Sequence, residues 1–198
     1  MFRKQILLIM AFTLSPLDLC GDPTVPPEKI NPYLDPTASL VGDIKLGNQT
    51  FIGPMSSLRA HPGSFVMIGD ESSVQDGAVV VGISNFHSFD SLGKPHGVKI
   101  GSRTTIGAQA QVHAPARVGD NVFIGMRALV FDSEVGNGCV IQPGAIVMGV
   151  RLPASRSVPA NLVVIDQDAA EALPKVTSSD PFRRLHERMI AIYSEMEK

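Results

Sequence analysis

IGSRTTIGAQAQVHAPARVGDNVFIGMRALV, residues 100–130, carries an aliphatic side chain at every sixth position: Ile100, Ile106, Val112, Val118, Ile124 and Val130. The period extends in both directions. Upstream lie Leu40, Leu46, Ile52 and Leu58, then, after an offset, Ile68, Val74 and Val80. Downstream, one step of five leads to Val135, Ile141 and Val147, and another to Leu152, Val158 and Val164. Four residues after the aliphatic sits a small or β-compatible residue, as at Thr50, Ser56, Ser72, Ala78, Thr104, Ala110, Ala128, Cys139 and Ala145. An α-helical stripe returns every 3.6 residues and a simple strand alternates every two, so a period of six fits neither. It fits a short strand and a tight turn, repeated, with three units closing one triangular coil. The aliphatic points into the prism and the small residue fills the corner. The glycine that often follows the aliphatic (47, 53, 69, 101, 107, 119, 125, 136) is expected to permit the unusual backbone angles of the turn. Coils of this kind stack through strand hydrogen bonds at about 4.8 Å per coil. The predicted fold is mainly β, a parallel β-helix over 37–166, with a C-terminal α-helix packed alongside.

The composition suits one such domain. The 198 residues are 44% hydrophobic and 18% charged, enough to bury a core. With 17 Lys+Arg against 19 Asp+Glu, there is no basic surplus to mark a nucleic-acid binder. Two cysteines, Cys20 and Cys139, exclude a disulfide scaffold or a cysteine-rich zinc module, and Cys139 has the spacing of a core residue. The start has the layout of a secretory signal over 1–21: basic Arg3-Lys4, the apolar run Ile6–Leu14, then Ser15-Pro16. The expected destination is export, whether periplasmic, cell-envelope or extracellular. Cys20 is a candidate lipid-attachment site, although Leu17-Asp18-Leu19 before it lacks the usual small residue. No stretch is long and apolar enough for a transmembrane helix. Residues 22–36, with prolines at 23, 26, 27, 32 and 36, read as an extended lead-in. The segment 167–198 is predicted helical. Asp180-Pro181 starts its main helix, and Phe182, Leu185, Met189, Ile192 and Met196 form its apolar face. His186 on that helix is expected to be solvated.

The wording of the repeats carries a resemblance. Pro54–Arg59 (PMSSLR), Ile68–Gly77 (IGDESSVQDG), Gln111–Ala116 (QVHAPA), Ile124–Phe131 (IGMRALVF) and Pro159–Val164 (PANLVV) are similar to the γ-class carbonic anhydrases, over about residues 31–198. The resemblance implies a left-handed β-helix, a homotrimer, and zinc held at subunit interfaces by three histidines, two from one chain and one from its neighbour. Matched without gaps, the first ligand position holds Val81, the second holds Ala108, and only the third keeps a histidine, His113. Three repeat steps make one coil, so Val81 and His113 are expected at equivalent places one rung apart. The resemblance also makes Arg59 and Asp76 trimer-interface residues and puts Gln75 beside the zinc-bound solvent. The acidic pair that often follows the Arg59 match is replaced by Ala60, His61 and Pro62, and a proton-shuttling carboxylate falls near Ser84.

Catalytic zinc needs three protein ligands and an open position, and valine and alanine donate nothing. The expected function is therefore a non-catalytic trimeric scaffold or binding protein with no cofactor. The competing reading is an active carbonic anhydrase with a rebuilt zinc site, using His113 with His61, His87 or His96. Those three histidines lie on the two interruptions of the repeat, 59–67 and 82–99. An acyltransferase of the wider hexapeptide class is the third reading. It lacks recognisable acceptor-binding insertions here.

Overall fold

The computed structural model describes residues 32–83 and 97–196, with side chains as far as Ile192. The aliphatic period becomes a parallel β-helix with three faces. The first face is a seven-stranded parallel sheet running from Tyr33–Leu34, through Thr105–Ile106 and Phe123–Ile124, to Ser157–Val158. The second face stacks Ser39–Val41, Ser57–Ala60, Val79–Gly82, Gln111–His113, Leu129–Phe131, Ile146–Met148 and Val163–Val164. The third stacks Ile44–Leu46, Val66–Ile68, Val98–Ile100, Ala116–Val118, Ser133–Val135 and Arg151–Leu152.

Register follows the spacing of the repeat. Ile106 pairs with Ile124, 18 residues on, and Ile124 with Ile141, 17 on. The steps of five are thus places where one coil is a residue shorter. The repeat aliphatics from Ile52 to Val164 are buried and make one continuous core, while Leu40 and Leu46 in the first coil are only partly covered. The small residues fill the corners: Thr50, Ala78, Thr104, Ala110, Ala128, Cys139 and Ala145 are fully buried.

Within the β-helix, two features differ from the sequence expectation. The first paired strand, Tyr33–Leu34, lies inside the proline-rich stretch: Pro32 and Pro36 flank residues that keep their donors, and the Tyr33 N–H bonds the Thr50 carbonyl at 2.8 Å. The glycine after the aliphatic is also there for a different reason. The left-handed turn residue comes two positions later and is mostly not glycine: Gln49, Met55, Glu71, Arg103, Gln109, Asn121 and Arg127 all have φ between 51° and 59°. The glycine instead gives room for the next rung. A Cβ on Gly69 would stand 2.6 Å from the Gly101 backbone, and one on Gly125 would stand 2.6 Å from the Pro143 nitrogen.

The C-terminal end of the prism is closed by α1 (Gln167–Ala172). Asp166 caps it, its carboxylate accepting from the Ala169 N–H at 3.0 Å, and Ala170 and Leu173 join the core. The chain then returns as α2 (Pro181–Met196) across the first face, with Asp180 accepting from the Phe182 N–H at 2.9 Å. The face of α2 that packs is turned by one residue from the sequence expectation. Phe182, His186, Met189 and Ile190 meet the sheet, whereas Leu185 and Ile192 are 39% and 51% exposed. His186, expected in solvent, is 4% exposed. It goes under because the first face offers it a hydroxyl: its Nδ1 lies 3.0 Å from Thr105 Oγ1, and Phe123 packs beside the ring.

Candidate functional site

The three faces differ in what they present outward. The first lies under α2. The third carries Lys45, Met67, Lys99, Arg117, Glu134 and Arg151 in register, a mostly charged and solvated column. The second carries the exposed apolar side chains Val41, Met148 and Val163, with Ile165 just beyond its last strand. The residues matched to the zinc ligands stand along the two edges of this second face.

One edge is the column Val41–Arg59–Val81–His113–Phe131–Met148. Val81 is in direct register with His113, one rung apart, as the repeat arithmetic predicts. Alternation turns both away from the core, since the inward neighbours Val80 and Val112 are fully buried. His113 is half-buried, with Nε2 3.2 Å from Gln111 Oε1, a partner that the sequence reading missed although strand alternation puts residues two apart on the same side. Val81 is 4% exposed and lies between His113 and the exposed Arg59.

The opposite edge is the corner where the first face turns into the second. Asp76 and Ala108 are stacked there, the Gln109 N–H donating to the Asp76 carbonyl and the Arg127 N–H to the Ala108 carbonyl. Asp76 is exposed and, among the described residues, neither it nor Arg59 is in an ion pair. Gln75 next to it is buried, its side-chain amide donating to Met189 Sδ of α2 at 3.6 Å.

A three-residue strand at about 3.3 Å per residue plus the corner puts Ala108 and His113 roughly 10–15 Å apart in one chain. Zinc–imidazole bonds of about 2.0–2.1 Å cannot bridge that distance, so the two edges can meet at one point only between different chains. The donor set does not fit a zinc ion. The three matched positions supply one imidazole and two hydrocarbon side chains.

Both interruptions of the repeat leave from the corner beside His113. Ile52 pairs with Val74, 22 residues on, and Val74 with Ile106, 32 on, so each of these coils carries an insertion. The shorter one, His61–Phe65, is pinned by the His61 N–H on the Gly82 carbonyl and the Val98 N–H on the Phe65 carbonyl. Its His61 side chain is exposed. The longer one departs after Ile83 and returns at Gly97; His87, His96 and Ser84 fall outside the described residues.

Partial burial, and secondarily the Arg59 guanidinium two rungs away, hold the His113 pKa below the ordinary histidine value. Both effects penalise the imidazolium. His113 is therefore expected to be neutral at pH 7, with an NMR titration midpoint below that of a free histidine. Arg59→Ala should raise that midpoint, because it removes the like charge. An unchanged or lowered midpoint would contradict this electrostatic account.

A family model described as bacterial transferase hexapeptide (six repeats) matches residues 97–132. The carbonic anhydrase of Methanosarcina thermophila is 37% identical over 180 residues, covering 86% of this chain and 73% of that protein. The carboxysome assembly protein CcmM of Nostoc sp. is 34% identical over 148 residues, which is 75% of this chain and 27% of that longer relative. Among solved structures, a Bacillus cereus protein described as an acetyltransferase superposes with a TM-score of 0.50 at 22% identity, over 86% of this chain and 91% of its own, and shares the fold alone. With a parallel β-helix, a helix returning along it and 37% identity over most of both chains, this protein belongs to the γ-class carbonic anhydrase family.

Proposed function

We propose that this chain is a non-catalytic trimeric scaffold or binding protein built on the γ-carbonic anhydrase fold. The observation that carries the reading is the composition of the two site edges: Val81 in register with His113 on one, Ala108 on the other. One imidazole per interface cannot hold zinc tightly, and without a bound metal no water is acidified towards neutral pH. The residues that the resemblance assigns to assembly support the trimeric part of the reading. Arg59 and Asp76 are exposed on opposite edges of the face that also carries Met148 and Val163. Covering that apolar face with a second and third copy removes it from water, which is the usual driving force for association. A relative that functions in carboxysome assembly supports use of this fold as a scaffold. Export is part of the proposal, resting on the apolar run Ile6–Leu14 behind Arg3-Lys4.

The second reading is a working carbonic anhydrase with a rebuilt site. It is favoured by the similarity to a carbonic anhydrase and by two insertions leaving the corner beside His113. One set of measurements on the purified protein separates the two. The expected results are a light-scattering mass of three chains, an intact mass lacking residues 1–21, and no carbon dioxide hydration above buffer in stopped flow with zinc, cobalt or iron(II). Hydration that disappears in His113→Ala would overturn the non-catalytic reading, and a monomer at micromolar concentration would overturn the scaffold.

A further inference from the structure

His186 is the one titratable side chain that α2 buries against the β-helix among the described residues. Its Nδ1 is 3.0 Å from Thr105 Oγ1, which itself receives a bond from Ser73 Oγ at 3.3 Å. Its Nε2 is buried with no hydrogen-bond partner. Phe123 and Phe182, stacked at 6.0 Å, flank the contact, and the Phe123 ring is also 6.0 Å from the imidazole. Beside it a cleft of about 270 Å³ separates α2 from the turns of the first face.

We propose that α2 is an acid-released strap, docked by neutral His186 and freed from the first face when that imidazole takes up a proton. The charges around it work in both directions. From the first-face turns comes Arg103, whose guanidinium, bonded to Glu71, disfavours an imidazolium and whose backbone favours one. From α2 itself come Arg183 and Glu187, paired with each other at 3.1 Å. On the remaining side Val140, Ser155 and Val176 bring no charge. Burial outweighs them all and lowers the pKa of the docked group to about 4.

Undocked, the group has the ordinary histidine value of about 6.5. A depressed value in the docked state means that docking is at full strength above pH 6.5 and weakens as pH falls towards 4. Between those limits the open form binds the proton that the docked form refuses. The undocked fraction should rise by up to about tenfold per pH unit below pH 6.5, reach roughly 150-fold its neutral-pH value at pH 4, and level off below that near roughly 300-fold. Release has a local consequence. Met189 leaves the Gln75 amide, and Gln75, 8% exposed while α2 is docked, opens beside the corner that carries Asp76 and Ala108. The inference stands on the α2 contact alone and does not depend on the absence of catalysis.

Hydrogen–deuterium exchange on the full-length protein from pH 8 to pH 4, corrected for intrinsic rates, tests it. The expected result is that α2 amides lose protection below pH 6.5 while strand amides at Val112 and Val130 keep theirs. His186→Gln, which can still bond Thr105 but does not titrate in this range, should flatten the α2 profile. Carboxylates such as Glu71, Asp180 and Glu187 are present in both proteins, so their effect cancels in the comparison. Three results would overturn the proposal: α2 protection independent of pH, an unchanged profile in the variant, or α2 and the strands opening together. Should His186→Gln fail to fold, the NMR titration of the wild-type imidazole decides. A midpoint well below 6 supports the strap, and one at or above 6.5 removes its basis.

Discussion

Val81→His and Ala108→His, made together, are expected to create zinc binding at one equivalent per chain, which the proposed function denies to the parent protein. Val81 and His113 are in register on adjacent strands, about 4.8 Å apart, and both point away from the core. Two imidazoles in that arrangement can share one ion at about 2.0–2.1 Å each. The third imidazole has to come from the Ala108 corner of another chain, because the edges of one face are too far apart, so binding should require the assembled protein. Linkage makes the gain visible as stability: about 2.7 kcal/mol at a zinc concentration one hundred times the Kd. Val81 is only 4% exposed, so the larger ring must displace something at that edge. Strain of about 1–3 kcal/mol in the metal-free protein is the expected cost. Calorimetric zinc titration and thermal melts with and without zinc are the readout. A folded trimer that binds zinc no more tightly than the parent would mean that the two edges do not converge, and the argument from lost ligands would fall.

The second large effect concerns the spacing of the rungs. Gly101→Ala should destabilise the protein by about 2–4 kcal/mol, because a Cβ there would stand 2.6 Å from the carbonyl carbon of Gly119 on the next coil. Backbone on backbone cannot move aside as a side chain would, so the rung has to lift and lose hydrogen bonds to its neighbour. Met55→Gly makes the contrast. Met55 holds φ of 56° and is 76% exposed. Relief of a left-handed angle costing roughly 1–2 kcal/mol is offset by about 0.5–1 kcal/mol of added chain entropy in the unfolded state. The net change should stay within about 1 kcal/mol. Denaturant unfolding of the two variants distinguishes the explanations. If Gly101→Ala cost no more than Met55→Gly, clearance from the next rung would not be what the glycine pattern protects.

What the sequence by itself determined was everything that follows from local periodicity. The six-residue repeat is a one-dimensional signal: each aliphatic meets its counterpart one coil away, so counting along the chain yields the core, the corners and the register of Val81 with His113. The match of QVHAPA and VQDG to one family was equally legible, because insertions fall between those motifs and not within them. What only the tertiary structure decided was which surfaces meet. The apolar face of α2 could be read as Leu185 and Ile192 until Thr105 and Phe123 on the first face selected His186 instead, and a hydroxyl 81 residues away leaves no local trace. The glycine pattern misled for the same reason: the atoms that exclude a Cβ at Gly101 belong to the next coil, 18 residues on. Stacking distance is a property of neighbouring rungs and not of the turn that holds the glycine. The separation of Ala108 from His113 across one face was likewise hidden by a gap of five residues in the chain, because the corner between them turns a short stretch of sequence into two edges of a prism.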